Sequence, residues 1–400
     1  MSDAVSSAPK STGRRRARTT VVLPTAGLGA AAVCGLVLLG IGTAQVGLVA
    51  VVVGIAAGLI LLGPVLAAFL WIDRWEPEPT RLLIAAFAWG ACIAALTALL
   101  VNSTVRAVGD LVVANGRGDV VAAVFSAPVA EEAVKGVFVL GVLLLRRREF
   151  DGVIDGIVYA GVTAAGFAFT ENIFYFGMAF DAGGLGDVSG GVVAAFMLRG
   201  VLSPFVHPLF TAMTGIGIGV AASSRVRSVR IVAPLLGYLT AVGLHALWNG
   251  SAVIGGSAAF LNLYFLVMVP IFAGVLWLVV WQRRREQDVV TRQLSSMARE
   301  GLIAQSEIGL FASQAGRRRW RAEVRREAGR HAVRAVYRYQ SAVTELAFLR
   351  HATGRRTART DAAHRQRVLI DELTAARRAA VRRSTEQVER EVPVQGADPG

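Results

Sequence analysis

The sequence predicts an all-α, polytopic membrane protein of about eight transmembrane helices, with both termini on the cytoplasmic side and a cytoplasmic helical tail. Three observations carry this. Of 400 residues, 54% are hydrophobic and only 18% charged, a composition that excludes an ordinary soluble enzyme. The apolar residues gather into runs of about 20, the length that crosses a bilayer as a helix. Arginine clusters recur between alternate runs, and basic residues are retained on the cytoplasmic side.

Taken in order, the runs fall at roughly 21–43, 46–72, 82–102, 120–145, 153–180, 192–222, 230–251 and 260–281. The first is longer than the apolar part of a signal peptide and lacks a small-residue cleavage site, so it reads as a span. Arg14 to Arg18, Arg146 to Arg148, Arg225 to Arg230 and Arg283 to Arg285 must share one face, and eight spans satisfy this. The opposite loops agree: the one near Asp181 to Gly190 has acids and no base, and the one near Ser251 to Ala259 has no charge. Gly184-Leu185-Gly186-Asp187 mimics an aspartyl-protease motif, but it sits in a glycine-rich loop and reads as a turn. Cys34 and Cys92 both lie in apolar runs, which leaves neither a disulfide framework nor a cysteine metal site.

Outside the spans, residues 1–20 read as a disordered basic leader, and 392–400 as a disordered end. Residues 282–400 hold 25 Lys+Arg against 14 Asp+Glu, about +11 of the formal net charge of +14. Within 282–391, Arg, Glu and Ala alternate with Leu, Val and Phe at helical spacing, which predicts two or three cytoplasmic helices broken at Gly316 and near Thr353-Gly354. Such a surface suits anionic lipid headgroups. No motif or interleaved aromatics point to nucleic acid as a partner.

The spans also carry polar groups, and ionisable residues inside a bilayer each cost at least about 2.5–3.5 kcal/mol, which marks them as functional candidates. They cluster. The fourth span holds Glu131, Glu132 and Lys135, the fifth Glu171 and Asn172, the sixth His207 and the seventh His245 and Asn249. At about 1.5 Å of rise per residue, Glu131, His207 and His245 all lie roughly 20 Å from the cytoplasmic end of their helices and Glu171 about 27 Å, so four helices place polar groups near one level. Glu131 and Lys135 are i, i+4 and Glu132 and Lys135 are i, i+3, so one helical face forms a buried ion pair with a carboxylate to spare, suited to act as a general base for water. Lys135 is one of two lysines, the other being Lys10, among 42 Lys+Arg, and a compact ammonium suits holding a glutamate. Glu171, His207 and His245 are the ligand set of a catalytic Zn2+, or another divalent metal, that keeps a position open for water. A metal-free centre serves equally, with a glutamate activating water and the histidines and Asn249 donating to an oxyanion. A proton-coupled transporter, or a non-enzymatic membrane scaffold, would also accommodate such a cluster.

These residues resemble the PrsW family of intramembrane proteases, which is related more distantly to the CAAX prenyl proteases. The resemblance covers about residues 45–255. Its marks are Asp73-Arg-Trp-Glu-Pro-Glu-Pro79, Glu131-Glu132-x-x-Lys135, Phe150-Asp-Gly-Val-Ile-Asp-Gly156, Phe167-x-x-x-Glu171-Asn172, His207 and His245-x-x-x-Asn249. It implies a multi-pass plasma-membrane peptidase that cuts a membrane-anchored protein, for example an anti-sigma factor. Glu131 and Glu132 are then essential, with Glu132, held by Lys135, expected to activate water and Glu131 the alternative base or a ligand, and the later Glu and His positions complete the site. Family members are usually labelled metalloproteases. In the CAAX relatives the second motif ends in His where this chain has Glu171, and a metal-independent glutamate mechanism is favoured there. The basic tail falls outside the resemblance.

Overall fold

The computed structural model describes residues 12–112, 118–354 and 362–391, apart from Glu76 and Arg148. The predicted end at 392–400 and the first eleven residues of the predicted leader lie outside the described residues. The described chain is helical and contains no strand. Its long helices are α1 (Thr12–Val46), α2 (Leu48–Ile72), α3 (Thr80–Leu111), α4 (118–145), α5 (Val153–Gly183), α6 (Gly191–Ser223), α7 (Arg227–Val253) and α8 (Gly256–Arg299). Beyond these come α9 (Ile308–Phe311), α10 (Gln314–Gly354) and α11 (Ala362–Glu391). Two compact units result: residues 1–73 with 78–275, and residues 74–77 with 276–400.

Among the described residues, seven helices are long and apolar enough to cross a membrane: α2, α3, α5, α6, α7 and α8, with Ala26–Val46 of α1. The protein is a multi-pass membrane protein. Each of the seven overlies a predicted run, although α3 continues to Leu111, past the run at 82–102, and α8 continues to Arg299, past the run at 260–281. The fourth predicted run, on α4, is set apart by Glu131, Glu132 and Lys135. In the first unit α5 is the hub, since 78% of its apolar window is buried against 39% or less in the other six. The outward faces keep Leu59, Ile60, Leu144, Leu145, Leu235 and Leu266 exposed, a surface stable only against hydrocarbon.

Without a hydrophobic drive between helices in lipid, close backbone approach through small residues holds such a bundle together. At the α5–α6 crossing, Gly156 and Gly215 meet reciprocally: a Cβ on Gly156 would lie 2.0 Å from the Gly215 carbonyl oxygen, and one on Gly215 would lie 2.2 Å from that of Gly156. On the α3 side, a Cβ on Gly90 would fall 1.9 Å from the Thr163 carbonyl oxygen.

Four helices also contain a π-helical turn, at Trp89–Ala94, Ala122–Ser126, Met197–Leu202 and Tyr264–Met268. Such turns disturb the i→i−4 ladder and recur at functional sites. Side chains from neighbouring helices bond to carbonyls in three of them. Thr170 Oγ1 donates to Ala91 O (2.6 Å), Asn249 Nδ2 to Ala123 O (2.8 Å) and Tyr264 Oη to Leu202 O (2.7 Å). These bonds tie α5 to α3, α7 to α4 and α8 to α6, so the irregular turns become tertiary links.

Two of the sequence motifs meet at the start of α5. The Glu78 amide donates to both carboxylate oxygens of Asp73 (3.1 and 3.0 Å), and the Tyr159 hydroxyl donates to Glu78 Oε2 (2.6 Å). Asp155 accepts the amides of Asp151 and Gly152 (2.7 and 2.9 Å) and so caps the helix. Burial pushes Asp73 up to about 7 and Glu78 up to about 8, the nearby carboxylates of Asp73 and Asp151 adding to the second shift. The Gly184 to Asp187 stretch is the predicted turn, with Gly184 and Gly186 at φ of 61° and 62°.

The second unit packs α10 and α11 with the end of α8 around Leu294, Met297, Phe311, Tyr339, Val343 and Leu373, and the linker contributes Trp75 to this core. The helix break expected at Gly316 falls a few residues earlier, between Phe311 and Gln314, Gly316 itself lying in the first turn of α10 against the Gly309 carbonyl (a Cβ would sit 2.8 Å away), and α10 has a further kink at Gly329, where φ is 71°. The break expected near Thr353-Gly354 borders residues outside the described ones. The Arg-rich surface predicted for this region is partly present, as at Arg318 and Arg319, which are exposed. Arg317 is buried instead, stacked 4.8 Å from the Trp75 ring centre.

Two tests follow from this packing. Gly156→Val should cost at least about 1–3 kcal/mol by overpacking, read as a lowered thermal midpoint in detergent, whereas Gly63→Ala, with open space around its Cβ position, should be neutral or slightly stabilising. Because folding raises the Asp73 and Glu78 values above 3.8 and 4.5, the native state binds more protons across that window. Stability should therefore fall as pH rises from about 4 to about 8, and a Glu78→Gln variant, followed by thermal unfolding across that range, should show a shallower fall.

Candidate active site

The α4 face carrying Glu131, Glu132 and Lys135 turns inward, and all three are buried, with Glu132 and Lys135 at 0% exposure. Lys135 Nζ bonds Glu132 Oε1 at 2.9 Å and Glu131 Oε2 at 3.3 Å, and lies 3.8 Å from the ring centre of Phe167. An ammonium taken out of water is tolerable only when paired and bonded in this way.

Around that core, α7 places His245 Nδ1 3.1 Å from Glu132 Oε1 and Nε2 3.9 Å from Glu131 Oε2. The Thr211 hydroxyl of α6 donates to the other Glu132 oxygen (2.8 Å). Both oxygens of Glu132 are thus engaged. Glu131 has a different setting, with its Oε1 meeting the Asn102 amide at 3.4 Å. One turn before Thr211 on α6, His207 Nε2 lies 2.7 Å from Glu171 Oε2 on α5. The imidazoles of His207 and His245 stand edge to face, 5.3 Å between ring centres, and Phe210 stacks on His245 at 5.0 Å.

A carboxylate only accepts hydrogen bonds, so the geometry assigns each neutral ring its tautomer. His207 Nε2–H donates to Glu171 and His245 Nδ1–H donates to Glu132. This leaves His207 Nδ1 and His245 Nε2 as bare nitrogens, and His207 Nδ1 is buried with no hydrogen-bond partner. One donor atom each from Glu131, His207 and His245 lies within 4.8 Å of the others, the arrangement of a potential cation site among the described residues. The carboxylate in this trio is Glu131, whereas Glu171, predicted as a ligand, stands behind His207 as its hydrogen-bond acceptor.

A cavity of about 490 Å3 opens against this cluster, and its wall includes Glu131, Glu171, Asn172, Arg199, His207 and Asn249. Glu132, Lys135 and His245 are not on that wall. The predicted site residues are therefore brought together in two layers, a sealed one and one facing the cavity. Asn249 lines the cavity while its Nδ2 is engaged with Ala123 O.

One residue escaped the sequence reading. Arg199, on the π-helical turn of α6, bonds Glu171 through a terminal guanidinium nitrogen and Asn172 through Nε, with its guanidinium 4.0 Å from the Tyr175 ring centre. The rule applied to the other charged intramembrane residues would have found it, because it is a charge in the middle of an apolar helix. Counting Arg199, three glutamates face two cations, and the cluster keeps one uncompensated negative charge when both histidines are neutral.

Comparisons with known proteins agree with this geometry. Residues 78–275 match the family described as PrsW family intramembrane metalloprotease, a stretch that coincides with the larger segment of the first unit. Proteins named Protease PrsW are similar to the chain. The one from Oceanobacillus iheyensis is 27% identical over 235 residues, covering 59% of this chain and 94% of its own length. That from Geobacillus kaustophilus is 30% identical over 168 residues (42% and 64%), and that from Clostridioides difficile is 31% identical over 121 residues (29% and 49%). No solved structure matches the chain. The motif residues, their convergence on one buried cluster and these matches lead to one conclusion: the chain belongs to the PrsW family of intramembrane proteases and is a peptidase.

Proposed function

We propose that the protein is an endopeptidase that cuts a membrane-anchored protein inside the bilayer, by attack of a water activated at Glu131. The observation that carries this is the two-layer site: of the two adjacent glutamates, Glu131 borders the cavity while Glu132 is sealed behind it with both oxygens occupied. An unwound substrate segment lies in the cavity, and the Glu131 carboxylate takes the proton of the attacking water. Lys135 keeps the two glutamates apart and charge-balanced. Glu132, predicted as the base, instead fixes the His245 ring. With their N–H groups committed to Glu171 and Glu132, the rings of His207 and His245 offer lone pairs, and the second amide hydrogen of Asn249 is the donor available to the developing oxyanion. Water adds directly to the carbonyl, so no acyl-enzyme forms, and as the C–N bond breaks the proton held by Glu131 passes to the leaving amine nitrogen.

The donor set fits a divalent metal such as Zn2+. Two imidazoles have one nitrogen held by a carboxylate and the other bare, the arrangement that orients histidine ligands, and Glu131 adds a carboxylate beside a net negative charge. Glu131 through one carboxylate oxygen, with His207 and His245, would hold the ion, which when bound would supply Lewis acidity to water and carbonyl, the other Glu131 oxygen remaining the base.

We further propose that eight helices cross the plasma membrane, α4 among them, with both termini cytoplasmic. The arginine pattern and the length of α4 support this. The substrate is a membrane-anchored regulatory protein of the anti-sigma-factor type, and the basic tail lies against anionic headgroups.

Cleavage of a tagged single-span protein, drawn from a candidate pool and co-reconstituted with the full chain in liposomes, tests the mechanism. Glu131→Gln should lower the rate by at least about 10²-fold. Chelation should abolish cleavage and added Zn2+ restore it. Full activity of Glu131→Gln would overturn the assignment. Reporter fusions at each loop should place the Arg146, Arg225 and Arg283 ends on one side.

A further inference from the structure

An arginine held between transmembrane helices, here half-buried at the cavity wall, is costly enough that its contacts should account for it, and those of Arg199 all run to one helix. Its guanidinium reaches Glu171 and Asn172 and lies on the ring of Tyr175, three residues within a single turn of α5. Two separate nitrogens are used, so the planar fork is oriented and not merely attracted. The Glu171 oxygen that Arg199 bonds, Oε2, is the same one that accepts from His207 Nε2 at 2.7 Å. The other nitrogen of His207 is the buried one that lacks a partner.

We infer that Arg199 is a positioning residue of the hydrolytic centre: by clamping Glu171 and Asn172 it holds one carboxylate oxygen on His207 Nε2, which fixes the ring orientation and leaves Nδ1 bare for use at the site. This rests on the proposed reading of His207 as a site residue. The π-helical turn of α6 fits the role, since Arg199 occupies it and the turn sets where the guanidinium emerges. A plain ion-pair staple between α5 and α6 would need charge alone, and lysine would satisfy it. A clamp needs the fork, which lysine lacks.

The test compares wild type, Arg199→Lys, Arg199→Met, Glu171→Gln and the Arg199→Met/Glu171→Gln double variant in the full chain. Thermal unfolding in detergent identifies the variants that fold, and Arg199→Lys serves where Arg199→Met does not. The first readout is the ring nitrogen spectrum of 15N-histidine protein, with His207 assigned by difference from His207→Ala. Wild type should show Nε2–H with Nδ1 bare, and the Arg199 variants a mixture of tautomers. The second is Zn2+ affinity by chelator competition, expected to fall about 10- to 100-fold in the Arg199 variants, with the double variant no weaker than Glu171→Gln alone. A His207 spectrum that ignores Arg199, or losses that add in the double variant, would overturn the inference. Wild type that binds no Zn2+ while its His207 tautomer still depends on Arg199 would remove the metal from the proposed function and leave the clamp standing.

Discussion

Lys135 and its two glutamates are the constraint around which the first unit is organised. The ammonium and the Glu132 carboxylate are fully buried, and neither is tolerable in low dielectric without the other. The pair in turn sets the positions of its neighbours: Glu132 orients His245 and bonds Thr211, and Glu131 is left at the cavity edge near the bare nitrogen of His245. Polar groups on α5, α6 and α7 thus find partners in one place. A membrane bundle has few other reasons to prefer one register, because its apolar faces are as content with lipid as with each other.

Two features of the backbone make that convergence possible. Glycine crossings such as Gly156 with Gly215 bring α5 and α6 into backbone contact, close enough for Glu171 and His207 to bond directly. The π-helical turns change the phase of a helix partway along its length, so residues on either side of the turn face directions an unbroken helix would not give them. Arg199 and His207 illustrate this: Arg199 sits in such a turn, His207 follows the non-helical stretch at 203–205 that ends it, and both bear on the same glutamate.

Much of this was legible in the residues. Seven runs of apolar residues overlie the observed helices, because length and hydropathy decide a membrane span, while the helical backbone of α3 and α8 runs on past the apolar stretch. The depth estimate correctly suggested that Glu131, His207 and His245 share a level, and their donor atoms do converge. Depth could not say which carboxylate faces which ring, since that depends on rotation about each helix axis. So Glu171, named as a ligand, stands behind His207, and Glu131 joins the donor trio. The π-helical turns leave no trace in composition. Arg199 was missed for a different reason: attention went to glutamates and histidines, while a single arginine in an apolar run carried the same signal.

The segregation of charge onto α4 bears on how the chain is made. α5 and α6 carry Glu171 and Arg199 singly, whereas α4, which we propose as a span, carries three charges, and each charged residue near the centre of a helix raises the cost of entry by about 2.5–3.5 kcal/mol. Pairing within the helix, Lys135 with Glu131 and Glu132 one turn earlier, lowers that cost before any neighbour is present. The remaining deficit is met only when α5 to α7, which are synthesised later, supply Thr211 and His245. Biogenesis of α4 is therefore cooperative with helices that follow it. A lesion in the polar cluster would then appear first as loss of inserted protein, ahead of any effect on turnover of a substrate.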